Sequence, residues 1–82
     1  MDAKDRIRSQ VQKLAKALGR PVRNVGDDEA LPSSGLLDSA SILELILWVE
    51  TEFDLDIEQE DLSMDNFGTI RKMEEYVEAR KR

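Results

Sequence analysis

Asp38 and Ser39 stand where a loop gives way to a largely apolar segment, Ile42 to Val49, and their types and placement point to chemistry more directly than any other pair in the chain. A serine hydroxyl at the start of a helix lies beside unpaired backbone N–H groups and the positive end of the helix dipole. That setting accommodates a phosphate or a phosphodiester. The same position also suits plain capping, with Asp38 as the N-cap. Conventional catalysis is poorly equipped, because the chain has no histidine to serve as base or metal ligand and no cysteine to supply a thiolate or a disulfide.

The elements that must position this pair follow from apolar spacing. Ile7, Val11, Leu14 and Leu18 recur as one stripe and predict a first helix over 2–18, capped by Asp2, with Asp5 in its first turn. Gly19 supplies a stop and Pro21 opposes continuation. Lys4, Arg6, Arg8, Lys13 and Lys16 are expected to face mostly solvent. From Arg20 to Leu37 the pattern gives way to Pro, Asn, Gly, Asp and Ser, with Val22, Val25, Leu31, Leu36 and Leu37 as scattered anchors. This is a long connection of the kind that serves a function or is disordered, and its anchors argue for a loop laid across the helices. Pro32-Ser33-Ser34-Gly35 offers turn chemistry just before Ser39.

A second helix is expected from Ser39 to Phe53. At about 100° per residue it gathers Ile42, Leu45, Ile46, Val49 and Phe53 on a core face. Ala40, Leu43, Glu44, Leu47 and Thr51 fall almost opposite, so this helix carries two large apolar residues that the core does not need. Such a stripe, flanked by Glu44 and Glu50, suits docking of a partner. Trp48 lies on the flank of the core sector and is expected to be partly buried. Asp54 to Asp61 is a dense acidic loop with Ile57 turned inward; it begins like a calcium loop but lacks the glycine and the terminal glutamate such a site requires, so no metal site is assigned. Leu62, Met64 and Phe67 suggest a short helix and anchoring turn ending near Gly68. A last helix starts after Thr69 as N-cap with Ile70, Met73, Tyr76 and Val77 inward, and Arg80-Lys81-Arg82 frays into solvent. The expected fold is all-α: three main helices plus one short helix, with a long loop between the first two, in a single domain spanning 1–82.

Composition bounds the partners. With 82 residues, 40% hydrophobic and 37% charged, the chain builds one small core. Residues 1–23 carry seven Lys/Arg against Asp2 and Asp5, or +5; residues 24–70 carry thirteen Asp/Glu and no basic residue, or −13; residues 71–82 carry five basic against three acidic, or +2. An acidic centre opposes nucleic-acid binding and steers basic partner surfaces toward itself, or simply keeps the chain soluble. The N-terminus lacks the apolar run of a signal peptide. The longest uninterrupted apolar run, Leu45 to Val49, is far too short for a membrane span, so no membrane insertion and a cytoplasmic location are the expectations.

Gly35-Leu36-Leu37-Asp38-Ser39, followed by Glu44, Glu50, Glu52-Phe53-Asp54 and Ile57, resembles the acyl carrier protein family over residues 31–57, and Asp65-Asn66-Phe67-Gly68-Thr69-Ile70 is similar to the entry into the last helix of stand-alone carriers. The resemblance implies that Ser39 receives a covalent 4′-phosphopantetheine arm from coenzyme A on a separate phosphopantetheinyl transferase. The chain is then a substrate and carrier, not an enzyme. It further implies that Asp38 helps orient the transferase, and that Ala40, Leu43, Glu44, Leu47 and Glu50 dock partners: a ligase that loads an acyl or aminoacyl group, then a transferase or synthase with a basic groove. A monomer is compatible with this role. The chain departs from many fatty-acid carriers in having Ala40 directly after the serine, Ser41 in place of a commonly acidic residue, and Trp48 near the second-helix core. It also looks like carriers that load amino acids, D-alanyl carriers included. The competing reading is a non-enzymatic helical adaptor that uses the Leu43/Leu47 stripe and takes no arm.

Overall fold

Capping and apolar spacing account for where each helix begins and ends. The computed structural model describes residues 2–20 and 24–80. In chain order these hold α1 (Ala3–Ala17), α2 (Ser39–Glu52), a single 3-10 turn (Gln59–Asp61), α3 (Met64–Phe67) and α4 (Ile70–Arg80), with no strand among the described residues. The architecture is the expected all-α bundle of three main helices and one short one. Pro21, Val22, Lys81 and Arg82, on which the sequence suggested a helix stop, an anchor and a fraying tail, lie outside the described residues.

In α1, the Asp2 carboxylate accepts the Asp5 N–H at 2.9 Å. The helix ends in a left-handed glycine, Gly19 at φ 79°. Beyond it the Arg20 N–H reaches back to the Ala15 carbonyl at 3.0 Å and the Gly19 N–H to Lys16 at 3.0 Å. The buried line is Ala3, Ile7, Val11 and Ala15, one residue every four, while Leu14 and Leu18 are half-buried flank residues. The alanines take the line because α1 packs against both α4 and α2, and small side chains allow a close approach.

Three of the cations expected to face solvent instead tie α1 to the rest of the chain. Lys4 Nζ lies 3.2 Å from Asp27 and 3.8 Å from Glu74, Arg6 pairs with Glu52 and covers the Phe53 ring at 4.7 Å, and Arg8 pairs with Asp27 while its Nε donates to the Val25 carbonyl at 3.1 Å. Part of the −13 of the centre is thus matched from within. Of the loop anchors, Val25, Leu31, Leu36 and Leu37 are all buried.

The expected faces of α2 are present. Ile42, Leu45, Ile46 and Val49 are buried, whereas Leu43 and Leu47 are 56% and 61% exposed. Phe53, expected in the core, is the half-buried C-cap. Past it Asp54 takes φ 53°, and the Leu55 N–H closes on the Glu50 carbonyl at 2.9 Å, so an aspartate occupies the left-handed position that glycine usually fills.

The 3-10 turn within the acidic loop has no counterpart in the sequence reading. Asp61, its last residue, explains it: the Asp61 carbonyl accepts Asn66 Nδ2 at 2.9 Å, and its carboxylate accepts the Tyr76 hydroxyl at 2.8 Å and Arg80 at 3.1 Å. The Arg80 guanidinium stacks 3.7 Å over the Tyr76 ring, so Arg80 is the bound last residue of α4 and does not fray. Burial, and then the bond to Asp61, push the Tyr76 phenol above its ordinary pKa. Phe67 is fully buried, 4.9 Å from the Tyr76 ring, and Thr69 Oγ1 caps α4 by accepting the Lys72 N–H. Ile70, Met73, Tyr76 and Val77 are the buried face of α4, as their spacing predicts.

The two faces of α2 should separate cleanly in urea unfolding. Leu45→Ala, at a fully buried site, should cost roughly 2–5 kcal/mol, and Leu47→Ala less than about 0.5 kcal/mol.

Candidate functional site

Ser39 is the first residue of α2 and is exposed. Asp38 precedes it in extended backbone (φ −90°, ψ 176°), and its Oδ1 accepts the Ser41 N–H at 2.8 Å. The Asp38 carbonyl accepts the Ile42 N–H at 3.0 Å, the first bond of the helical ladder. The N–H groups of Ser39 and Ala40 therefore stand in the first turn without an intrahelical acceptor, beside the Ser39 hydroxyl. The Ser41 N–H, helped by the Ser41 hydroxyl, holds the Asp38 carboxyl below the usual carboxylate range. Its negative charge caps the positive end of α2. Ser41 itself is buried, so the hydroxyl offered to solvent at this helix start belongs to Ser39.

The turn leading into the site is built from its own backbone. The Ser34 N–H donates to the Ala30 carbonyl at 2.9 Å, the Gly35 N–H to Pro32 at 3.2 Å, and the Ser34 hydroxyl to the Leu31 carbonyl at 3.3 Å. Gly35 adopts φ 77°. A Cβ there would meet nothing within 4 Å, so glycine is required by the backbone angle and not by space. Leu36 and Leu37 then turn inward, which leaves Asp38, Ser39 and Ala40 standing out from the surface.

The residues expected to dock partners divide into two groups. Ala40, Leu43, Glu44 and Leu47 are exposed on the outer side of the helix that Ser39 begins. Glu50 is half-buried, and its Oε2 accepts the Ile57 N–H at 2.9 Å, which holds the acidic loop to the end of α2. It has an internal role that the other four lack. Trp48 is half-buried as expected, edge-on to Phe53 at 5.8 Å. It lines a groove with Arg6, Ser9, Gln10 and Lys13 of α1 and packs against the core from its flank.

Sequence reasoning missed Asp27 and Asp61, the carboxylates that gather cations from other elements. The signal available was the segregation of charge along the chain, which shows that pairing is possible but not which residues meet. Among the described residues no cluster of three or more His, Cys, Asp or Glu is placed to hold a metal, and no helix is long and apolar enough to cross a membrane.

The family model for the phosphopantetheine attachment site matches residues 11–77. No curated protein and no solved structure matches the chain.

The pKa of Asp38 is lowered on folding, so its contribution to stability is present at neutral pH and is lost as the pH falls through the folded-state value. Asp38→Ala should lower the thermal midpoint at neutral pH. Asp38→Asn, which keeps a capping oxygen but does not titrate, should hold a midpoint near wild type there and fall less steeply in acid.

Proposed function

From the premise that the chain belongs to the phosphopantetheine-attachment family, whose members carry a covalent 4′-phosphopantetheine, we propose that Ser39 is the attachment point and that this protein carries an acyl or aminoacyl group between enzymes. The observation that carries this reading is an exposed serine at the first position of a capped helix, with a buried Ser41 two residues on and unbonded first-turn N–H groups beside it.

On a phosphopantetheinyl transferase, Ser39 Oγ forms a bond to phosphorus of the coenzyme A pyrophosphate while the bond to the adenosine bisphosphate leaving group breaks. The serine proton passes to a base on the transferase, since this chain has no histidine within it to take the proton. The product is a phosphodiester at a helix N-terminus, where the amides of Ser39 and Ala40 and the helix dipole favour negative charge. Once attached, the arm supplies a thiol that holds the cargo as a thioester and raises its effective concentration at each partner's active site. Asp38 shapes the helix start that the transferase meets.

Ala40, Leu43 and Leu47 form the apolar stripe that fixes register with a partner, and Glu44 offers a carboxylate to a basic docking groove. Glu50 supports this face from behind by holding the Ile57 N–H. The chain so read is a carried substrate without catalysis of its own, in one carrier domain spanning 1–82. An adaptor that never takes the arm is the second reading, favoured by the exposure of Leu43 and Leu47.

Incubation with coenzyme A and a broad-specificity phosphopantetheinyl transferase should add the mass of one arm to the wild type and none to Ser39→Ala. No gain on wild type, or an equal gain on Ser39→Ala, contradicts the assignment. A partner complex that survives Ser39→Ala but is lost in Leu47→Asp, on a chain that takes no arm, would establish the adaptor instead. Among carrier–partner pairs, Glu44→Gln should weaken docking without loss of stability, and Glu50→Ala should lower stability by about 1 kcal/mol.

A further inference from the structure

The long connection before Ser39 is held by one carboxylate that reaches both α1 and α4. Asp27 has three cations around its side chain: Lys4 at 3.2 Å, Arg8 in direct contact, and Arg71 at 3.8 Å. Its backbone carbonyl also accepts the Arg71 N–H at 2.9 Å, in the first turn of α4, where that N–H has no intrahelical acceptor. Two neighbours complete the tie, as Asp28 accepts Arg71 Nε at 2.7 Å and the Val25 carbonyl accepts Arg8 Nε. Asp5, 3.5 Å from Arg8, and Glu74, 3.8 Å from Lys4, also face these cations, and Glu75 acts on Arg71 through its charge. The Asp27 side chain is 25% exposed, so its pairs are screened less than surface ones.

From Asp27 the constraint runs to Ser39 through Leu31. This residue is fully buried and uses both of its backbone groups: its N–H donates to the Gly68 carbonyl at 2.9 Å at the entry to α4, and its carbonyl accepts the Leu37 N–H at 3.3 Å. Leu37 lies two residues before Ser39. The connection is therefore a brace between α4 and the start of α2, and Asp27 fixes its far end.

Resting on the reading of Ser39 as the attachment point, we propose that Asp27 is a positioning residue for transfer of the arm: it holds the 24–37 connection, and through Leu31 and Leu37 the Asp38–Ser39 helix start, in the geometry the transferase binds. Without the Asp27 carboxylate, Lys4, Arg8 and Arg71 face one another with less negative charge between them, and the brace stays closed only about a tenth of the time. A transferase that binds only the braced form then meets a reduced competent fraction. The apparent KM for the carrier rises by the inverse of that fraction while kcat, set in the bound complex, stays the same.

Initial rates of arm transfer from coenzyme A, measured against concentration of the arm-free protein, test this directly. Asp27→Asn should raise KM about tenfold with kcat within about twofold, at a temperature where far-UV circular dichroism shows it fully folded. Tyr76→Phe, which removes the hydrogen bond to Asp61 on a different tie, is the control for stability loss and should keep the wild-type KM. Hydrogen exchange supplies a readout independent of transfer: the Leu31 and Leu37 amides should lose protection in Asp27→Asn and keep it in Tyr76→Phe. A wild-type KM for Asp27→Asn, an equal rise in Tyr76→Phe, or unchanged exchange at Leu31 and Leu37 overturns the proposal. If Asp27→Asn does not fold, Arg8→Gln removes one of the three cations and should show the same KM-only rise in smaller measure; no rise there overturns it equally. If the wild type takes no arm, the reading of Ser39 fails, while the exchange measurement still decides whether Asp27 holds the brace.

Discussion

Leu31 carries the constraint on which the arrangement depends. The connection over residues 24–37 contributes few helical hydrogen bonds of its own, and its backbone groups must find partners as it crosses the other elements. Leu31 meets this with a fully buried side chain and two backbone bonds, one to Gly68 and one to Leu37. Those bonds join the entry of α4 to the approach of α2. Burial of Val25, Leu36 and Leu37 on either side turns the loop into part of the core, and the start of α2 follows from where the loop is held.

Charge adds to this in a way that a net value of −6 conceals. The carboxylates of Asp27, Glu52 and Asp61 each meet a cation from a different helix, and Asp28 meets Arg71 in the same manner. The folding of Asp28 lowers its pKa, chiefly through that Arg71 bond. Individually, such partly exposed pairs contribute little. Together they place the basic α1, and Arg71 and Arg80 of α4, against the acidic centre and leave Glu44, on the outer side of α2, exposed.

The sequence made α2 and α4 legible because their apolar residues repeat at helical spacing and their caps, Asp38 and Thr69, use ordinary side-chain chemistry. The exposed Leu43 and Leu47 were legible for the same reason, as large apolar residues opposite the core face. Leu14 and Leu18 were over-read. Hydrophobicity favoured them for the buried line, while close packing favoured Ala3 and Ala15. The role of Glu50 was hidden because its partner, the Ile57 N–H, is a backbone group that only the fold brings near. The hubs at Asp27 and Asp61 were hidden likewise, since composition shows that charges exist in excess but not which of them meet. Within the site, the sequence indicated Ser39 and its cap, and the structure added the buried Ser41, the left-handed Gly35 and the brace behind them.

The central claim is that one serine among several is set apart by its place at the start of α2. Ser33 and Ser34 are also exposed, in the turn just before it, whereas Ser41 is buried. Fragmentation mass spectrometry of the peptide spanning residues 24–71, from protein purified from its own cell, separates these positions. The account predicts a phosphopantetheine adduct on Ser39 alone; an adduct on Ser33, Ser34 or Ser41, with Ser39 unmodified, would contradict it.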